Sequence, residues 1–232
     1  MKTIIILLSF FVLSAVFTGC KKDKKNDPAV NNPPPPTNEN EIITTVKLYI
    51  TDSITNTTVV KGFSDPDGDG AQPGSFSNNG TDSSFVLMPD RTYFCKLYFL
   101  DETKSPVDTL SKAIGGDEGY VHMIFYNGDP SATGNYGNVI LAQSPNYAVQ
   151  LNGSNIKISY LDLDNGPAKG YAQRNIGLYT KFRTASSPGT ALYPLRIALR
   201  HQPGTEANSS AKDGTYAPGS TDVEITFKVG VY

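Results

Sequence analysis

Three aspartates stand at alternate positions in FSDPDGDG (residues 63–70): Asp65, Asp67 and Asp69, punctuated by Gly68 and Gly70. Alternate carboxylates around a glycine can wrap their oxygens about a hard cation, as the first, third and fifth positions of an EF-hand loop do. The twelfth position would then be a bidentate glutamate, and here it is Phe76. The flanking helices are also missing from the pattern, so an EF-hand is excluded. Two readings stay open: a turn built on Asp-Pro and Asp-Gly chemistry, or a β-loop calcium site. The stretch YLDLDNGP adds Asp162 and Asp164 ahead of Asn165-Gly166, a second acidic turn of the same style. Calcium is the cofactor these loops suggest, and it would stabilise loops rather than catalyse.

His122 and His201 are the two histidines of the chain. Alternation puts His122 on one strand face with Ile124 and Tyr126. It puts His201 at the end of the face carrying Leu195, Ile197 and Leu199. If those strands are neighbours, one transition-metal ion could be shared, with Asp or Glu completing the shell. Otherwise both are structural or rim histidines. Arg196 and Arg200 beside His201 could form a basic rim for an anionic ligand. Tyr136, Tyr147, Tyr171 and Tyr216 lie in or beside loops, where rings could stack on sugars. The alternative is that tyrosines decorate exposed sheet faces. No H-E-x-x-H, G-x-S-x-G, Walker or G-x-G-x-x-G signature occurs. Paired carboxylates for glycoside hydrolysis are set by fold rather than spacing, and no acid is singled out for that role.

The elements that must carry these residues begin with an address. Lys2 and the apolar run Ile4–Val16 form a secretory signal, too short for the roughly 20 residues that span a bilayer. Thr18 and Gly19 precede Cys20, which resembles the bacterial lipoprotein signal: cleavage after residue 19 and lipidation of Cys20. Acyl chains at about 0.8 kcal/mol per buried methylene would hold such a protein on a membrane. Residues 20–41 are a stalk, with Lys21, Lys22, Lys24 and Lys25 and then Pro33–Pro36, which favour extended polyproline II. Lys21 is unlike the Asp-type inner-membrane retention signal, so the expected location is the outer membrane, on its periplasmic face or at the cell surface.

Residues 42–232 read as one all-β domain, an antiparallel β-sandwich of immunoglobulin-like or jelly-roll-like type. Val46, Leu48 and Ile50 share one strand face; Tyr93, Cys95, Leu97 and Phe99 line another. Further strands fall near 59–60, 85–87, 147–151, 155–161, 176–183, 193–201 and 222–231. Segments 107–113 and 119–126 flank Gly115-Gly116 as a hairpin. Cys95 is a buried strand residue, and no disulfide framework exists. A formal net charge of −2 leaves no electrostatic footprint for nucleic acid.

NEIITTVKLYITD, FSDPDGDG, VHMIFY, YLDLDNG, LRIALRHQPG and STDVEITFKVGV together resemble, in order, the blocks of a Bacteroidetes family of small lipoproteins labelled "type 1 periplasmic binding fold superfamily protein". That label implies an α/β fold, whereas the strand pattern implies all-β. The expectation is a non-enzymatic envelope lipoprotein, an accessory ligand- or metal-binding sandwich beside a TonB-dependent outer-membrane receptor. Its alternatives are a carbohydrate-binding or adhesion module and a cryptic hydrolase.

Overall fold

A computed structural model describes residues 41–68, 73–128, 148–151, 155–171, 173–202 and 219–232. Side chains that alternate between apolar and polar can be half-buried only on a pleated strand. In β1 (Thr45–Asp52), Val46, Leu48 and Ile50 are buried while Lys47, Tyr49 and Thr51 keep partial exposure. In β5 (Thr92–Asp101) the buried set is Tyr93, Cys95, Leu97 and Phe99. The other strands are β2 (Thr58–Ser64), β3 (Ser75–Phe76), β4 (Ser84–Leu87), β6 (Asp108–Thr109), β7 (His122–Asn127), β8 (Ala148–Gln150), β9 (Ile156–Tyr160), β10 (Tyr179–Thr184), β11 (Tyr193–His201) and β12 (Ser220–Val231).

They form two sheets. Sheet A runs β3-β2-β1-β5-β10-β9-β8, with β6 added to β5, and sheet B runs β4-β12-β11-β7. All of sheet A is antiparallel. Sheet B departs from that pattern once, because β12 pairs with β4 in parallel, Lys228 opposite Ser84 and Val231 opposite Leu87. The fold is the all-β sandwich that the alternation implies.

Aromatic rings lock the sheets together. Phe227 of β12 packs edge-on against Phe76 of β3, with ring centroids 5.3 Å apart. Tyr126 of β7 meets Tyr160 of β9 and Phe182 of β10 in the same edge-on manner. Each such ring withdrawn from water contributes about 1.5–3 kcal/mol. Their polar ends are satisfied across the gap: the Tyr126 hydroxyl donates to the Gly177 carbonyl (2.7 Å), and that of Tyr160 donates to the Ile124 carbonyl (2.6 Å). Cys95 is 1% exposed in this core, and burial pushes its thiol well above the ordinary range.

The expected hairpin at Gly115-Gly116 does not form. Leu110, Ala113 and Ile114 are spaced i, i+3, i+4, and Leu110–Ile114 makes one helical turn, α1. The two flanking strands belong to different sheets, β6 to A and β7 to B. Between them the chain passes through tight turns, with the Glu118 N–H donating to the Ala113 carbonyl and the Val121 N–H to the Glu118 carbonyl.

Candidate functional site

The first residue of β7 and the last of β11 are register partners: His122 faces His201 across antiparallel strands. Ile124 opposite Leu199 and Tyr126 opposite Ile197 continue the same face, as alternation requires. The imidazoles stack, with centroids 4.7 Å apart and planes 16° from parallel. The adjacency on which a shared site depends is therefore present.

Around this pair the fold gathers three carboxylates from distant segments. Glu41 precedes β1 on a stretch that is clamped to the end of β5. There the Thr44 N–H donates to the Leu100 carbonyl (2.9 Å), and the Glu102 N–H donates to Thr44 Oγ1 (2.8 Å). Glu118 lies in the turns after α1. One ligand atom each from Glu41, Glu118 and His122 fall within 4.8 Å of one another.

Asp222 arrives by a β-bulge. Leu199 pairs with Val223 and Arg200 with Thr221, so Asp222 is the extra residue with no partner opposite. A bulge re-aims side chains. Here it turns the carboxylate inward, 3.9 Å from His122 Nε2, with no side-chain exposure at all. Gly219 makes the approach possible: its φ is +104°, and an added Cβ would collide with the His201 carbonyl oxygen.

The tautomer of His122 follows from a single bond. Its Nδ1 is 3.0 Å from the Glu118 carbonyl oxygen, and a carbonyl can only accept. Nδ1 therefore carries the hydrogen, and in the neutral ring the lone pair is on Nε2. That atom faces Glu41 Oε1 at 3.8 Å and Asp222 Oδ2 at 3.9 Å. A backbone carbonyl holding one ring nitrogen so that the other is presented is how metal-binding histidines are oriented.

Electrostatics at the cluster favour protons over bare charges. Burial first, then the charges of Glu118 and Asp222, push the Glu41 carboxyl up to about 8. Burial pushes Asp222 up to about 7, against the pull of the Arg200 guanidinium. Burial lowers His201, opposed by Glu118. Among the described residues neither ring nitrogen of His201 and neither carboxylate oxygen of Asp222 has a hydrogen-bond partner. Acidic groups are crowded together beside the two imidazoles, and the Arg200 guanidinium offsets only part of the cost of burial at Asp222. A divalent ion would replace the shared protons.

The other residues singled out in the sequence fall elsewhere. Asp162 accepts the N–H groups of Gly177 (2.9 Å) and Tyr179 (3.0 Å). Asp164 accepts those of Gly166 (3.0 Å) and Arg174 (2.9 Å). These carboxylates staple the loop between β9 and β10, the role that the turn reading assigns them. The Asp65 N–H donates to the Thr44 carbonyl (2.7 Å), and Gly68 abuts Ile42, so the aspartate turn braces the segment carrying Glu41. Asp67 shares that turn; Asp69 lies outside the described residues.

Arg200 donates to Thr221 and Gly219, holding the start of β12, and Arg196 pairs with Glu224. Tyr171 stacks on Tyr120 at 5.4 Å, so one face of its ring is already covered. Cys20, Tyr136, Tyr147 and Tyr216 lie outside the described residues. Nothing in the sequence pattern marks Glu41, Glu118 or Asp222 as site residues. No protein-family model, curated protein or solved structure matches the chain. Fold and site together define a class: an all-β sandwich with a buried histidine–carboxylate cluster at one end of sheet B.

Proposed function

We propose that this protein is a lipid-anchored envelope protein whose β-sandwich binds a divalent first-row metal ion, zinc foremost, and catalyses no reaction. The observation that carries the reading is the geometry at His122, whose Nε2 faces Glu41 and Asp222 while its Nδ1 is held by the Glu118 carbonyl. Imidazole with carboxylates suits zinc, manganese(II) or iron(II) better than calcium. Zinc bound at about 2.0–2.2 Å needs donor atoms roughly 3.3 Å apart. Side-chain rotation of Glu41 and Glu118 would close the present spacing, and His201, stacked on His122, is the proposed further nitrogen ligand.

The anchor rests on the Thr18-Gly19-Cys20 signal and the proline stalk, and an outer-membrane receptor of the TonB-dependent type is the expected neighbour. Calcium at the Asp65 turn is a separate, second proposal. The test is calorimetric titration of chelator-treated protein with zinc, manganese(II) and calcium. One equivalent of zinc should bind and raise the melting temperature. His122→Gln and Asp222→Asn should each abolish the rise while leaving the far-ultraviolet spectrum intact. Absence of heat with every metal refutes the metal reading.

A further inference from the structure

The outward face of sheet A carries a second pattern. Across β1, β5 and β10, strand register places Tyr49, Lys96 and Tyr179 side by side in one row. The next row along the strands puts Phe94 beside Lys181, and the row on the other side puts Lys47 beside Tyr98. Rings and cations therefore alternate in both directions. Neighbouring strands lie about 4.8 Å apart and same-face residues on one strand roughly 6.7 Å, so this is a dense checkerboard.

A further row adds Arg183 of β10 beside Lys157 of β9. There the face dips into an open recess of about 470 Å³ lined by both cations, Asn155 and Thr184. No outward position of β1, β5, β9 or β10 is Asp or Glu. Among the described residues that line the recess, the one carboxylate is Asp90, in the turn before β5, which pairs with Arg183. The whole chain has 22 acidic against 20 basic residues, so a face of five cations is segregated charge rather than average composition.

The rings are held in place. Tyr49 and Tyr98 meet edge-on at 5.3 Å, Phe94 and Tyr179 stack at 6.1 Å, and Lys96 Nζ lies 5.7 Å from the Tyr179 ring. Side chains already ordered lose little entropy when a ligand arrives.

From this placement we infer that the outer face of sheet A binds an acidic polysaccharide, one whose carboxylate or sulfate groups alternate with C–H-bearing ring faces. The ring faces stack on the tyrosines and the anions reach the flanking lysines. A bilayer would require a continuous apolar edge that enters the acyl region; here the outward Val60, beside Tyr49, is set among threonine and lysine. A nucleic acid carries a phosphate at every step and calls for a continuous cationic track on a basic protein. The alternation fits neither.

The experiment is binding of the purified protein to polygalacturonate and to heparin, with dextran, phosphatidylglycerol vesicles and an oligo(dT) strand as competitors for the reading. At least one acidic polysaccharide should bind, weaken on raising salt, and leave dextran unbound. Tyr49→Ala with Tyr179→Ala, and separately Lys96→Ala, should weaken it about tenfold or more while zinc binding and the circular dichroism spectrum stay unchanged. His122→Gln should bind the polysaccharide normally, so failure of the metal reading and failure of this one are separable. Binding to neither polymer, binding unaffected by the face variants, or tighter binding to vesicles or oligo(dT) overturns the inference.

Discussion

Replacing Glu41 with glutamine should make the metal-free protein more stable at alkaline pH, although it deletes a buried polar contact. The carboxyl that ionises near 4.5 when exposed is pushed up to about 8 in the folded chain, by burial first and then by Glu118 and Asp222. Between those two values the native state keeps a proton that the unfolded state has released. Stability from this group is therefore fully present below the unfolded value and falls as pH rises through the folded one.

A tenfold change in acidity corresponds to about 1.4 kcal/mol, so moving the carboxyl from 4.5 to about 8 sets a limit of roughly 5 kcal/mol. A second carboxylate within 4.8 Å costs about 3.5 kcal/mol at an effective dielectric constant near 20. Glu41 retains 16% side-chain exposure, and water reaching it screens part of both figures. The expected difference is about 2–3 kcal/mol in favour of Glu41→Gln at pH 8.5, vanishing by pH 5. Urea unfolding followed by circular dichroism, with chelator present, reads it directly. Added zinc should reverse the order, stabilising the native sequence more than the variant. If Glu41→Gln is the less stable protein at pH 8.5 in chelator, the crowding of like charges at this end of the sandwich is refuted.

Three other outcomes follow from the packing. Tyr126→Phe strands the Gly177 carbonyl without its donor and should cost about 1–3 kcal/mol in the same unfolding assay. Gly219→Ala forces a side chain at φ +104° against the His201 carbonyl, and should lower stability by about 3 kcal/mol or more, measured by thermal melting. Cys95 should resist iodoacetamide at pH 8 until urea opens the core, because burial keeps its thiol protonated; mass spectrometry before and after unfolding checks this.

The strands are legible because their alternation is a local property. Val46-Leu48-Ile50 and Leu195-Ile197-Leu199 bury the side that the pattern indicates. The segment around Gly115-Gly116 misleads because the glycines suggest a turn between strands, while the i, i+3, i+4 spacing of Leu110, Ala113 and Ile114 is the competing helical signal. The histidine pair is half legible. Each face can be read, but their adjacency depends on which strands pair.

The carboxylates are hidden for different reasons. Glu41 lies at the edge of a polar stalk and gains its role only because Thr44 is tied to β5. Glu118 is placed by turns. Asp222 sits one residue before the alternating run Val223-Ile225-Phe227, which assigns it to the outer side. The bulge reverses that assignment, and no short-range signal announces it.

The parallel contact of β12 has a consequence for how the molecule assembles. Residues 220–231 slot between β4 and β11, closing a gap whose two rims come from well-separated parts of the chain. Until that insertion occurs, both rims present open backbone hydrogen-bonding groups, and a β12 donated by a neighbouring molecule would satisfy them equally well. Refolding at high concentration should therefore yield exchanged dimers that dilution converts only slowly into monomers. The same insertion brings Asp222 of β12 to His201, so the His201–Asp222 end of the sandwich is whole only once β12 is in place.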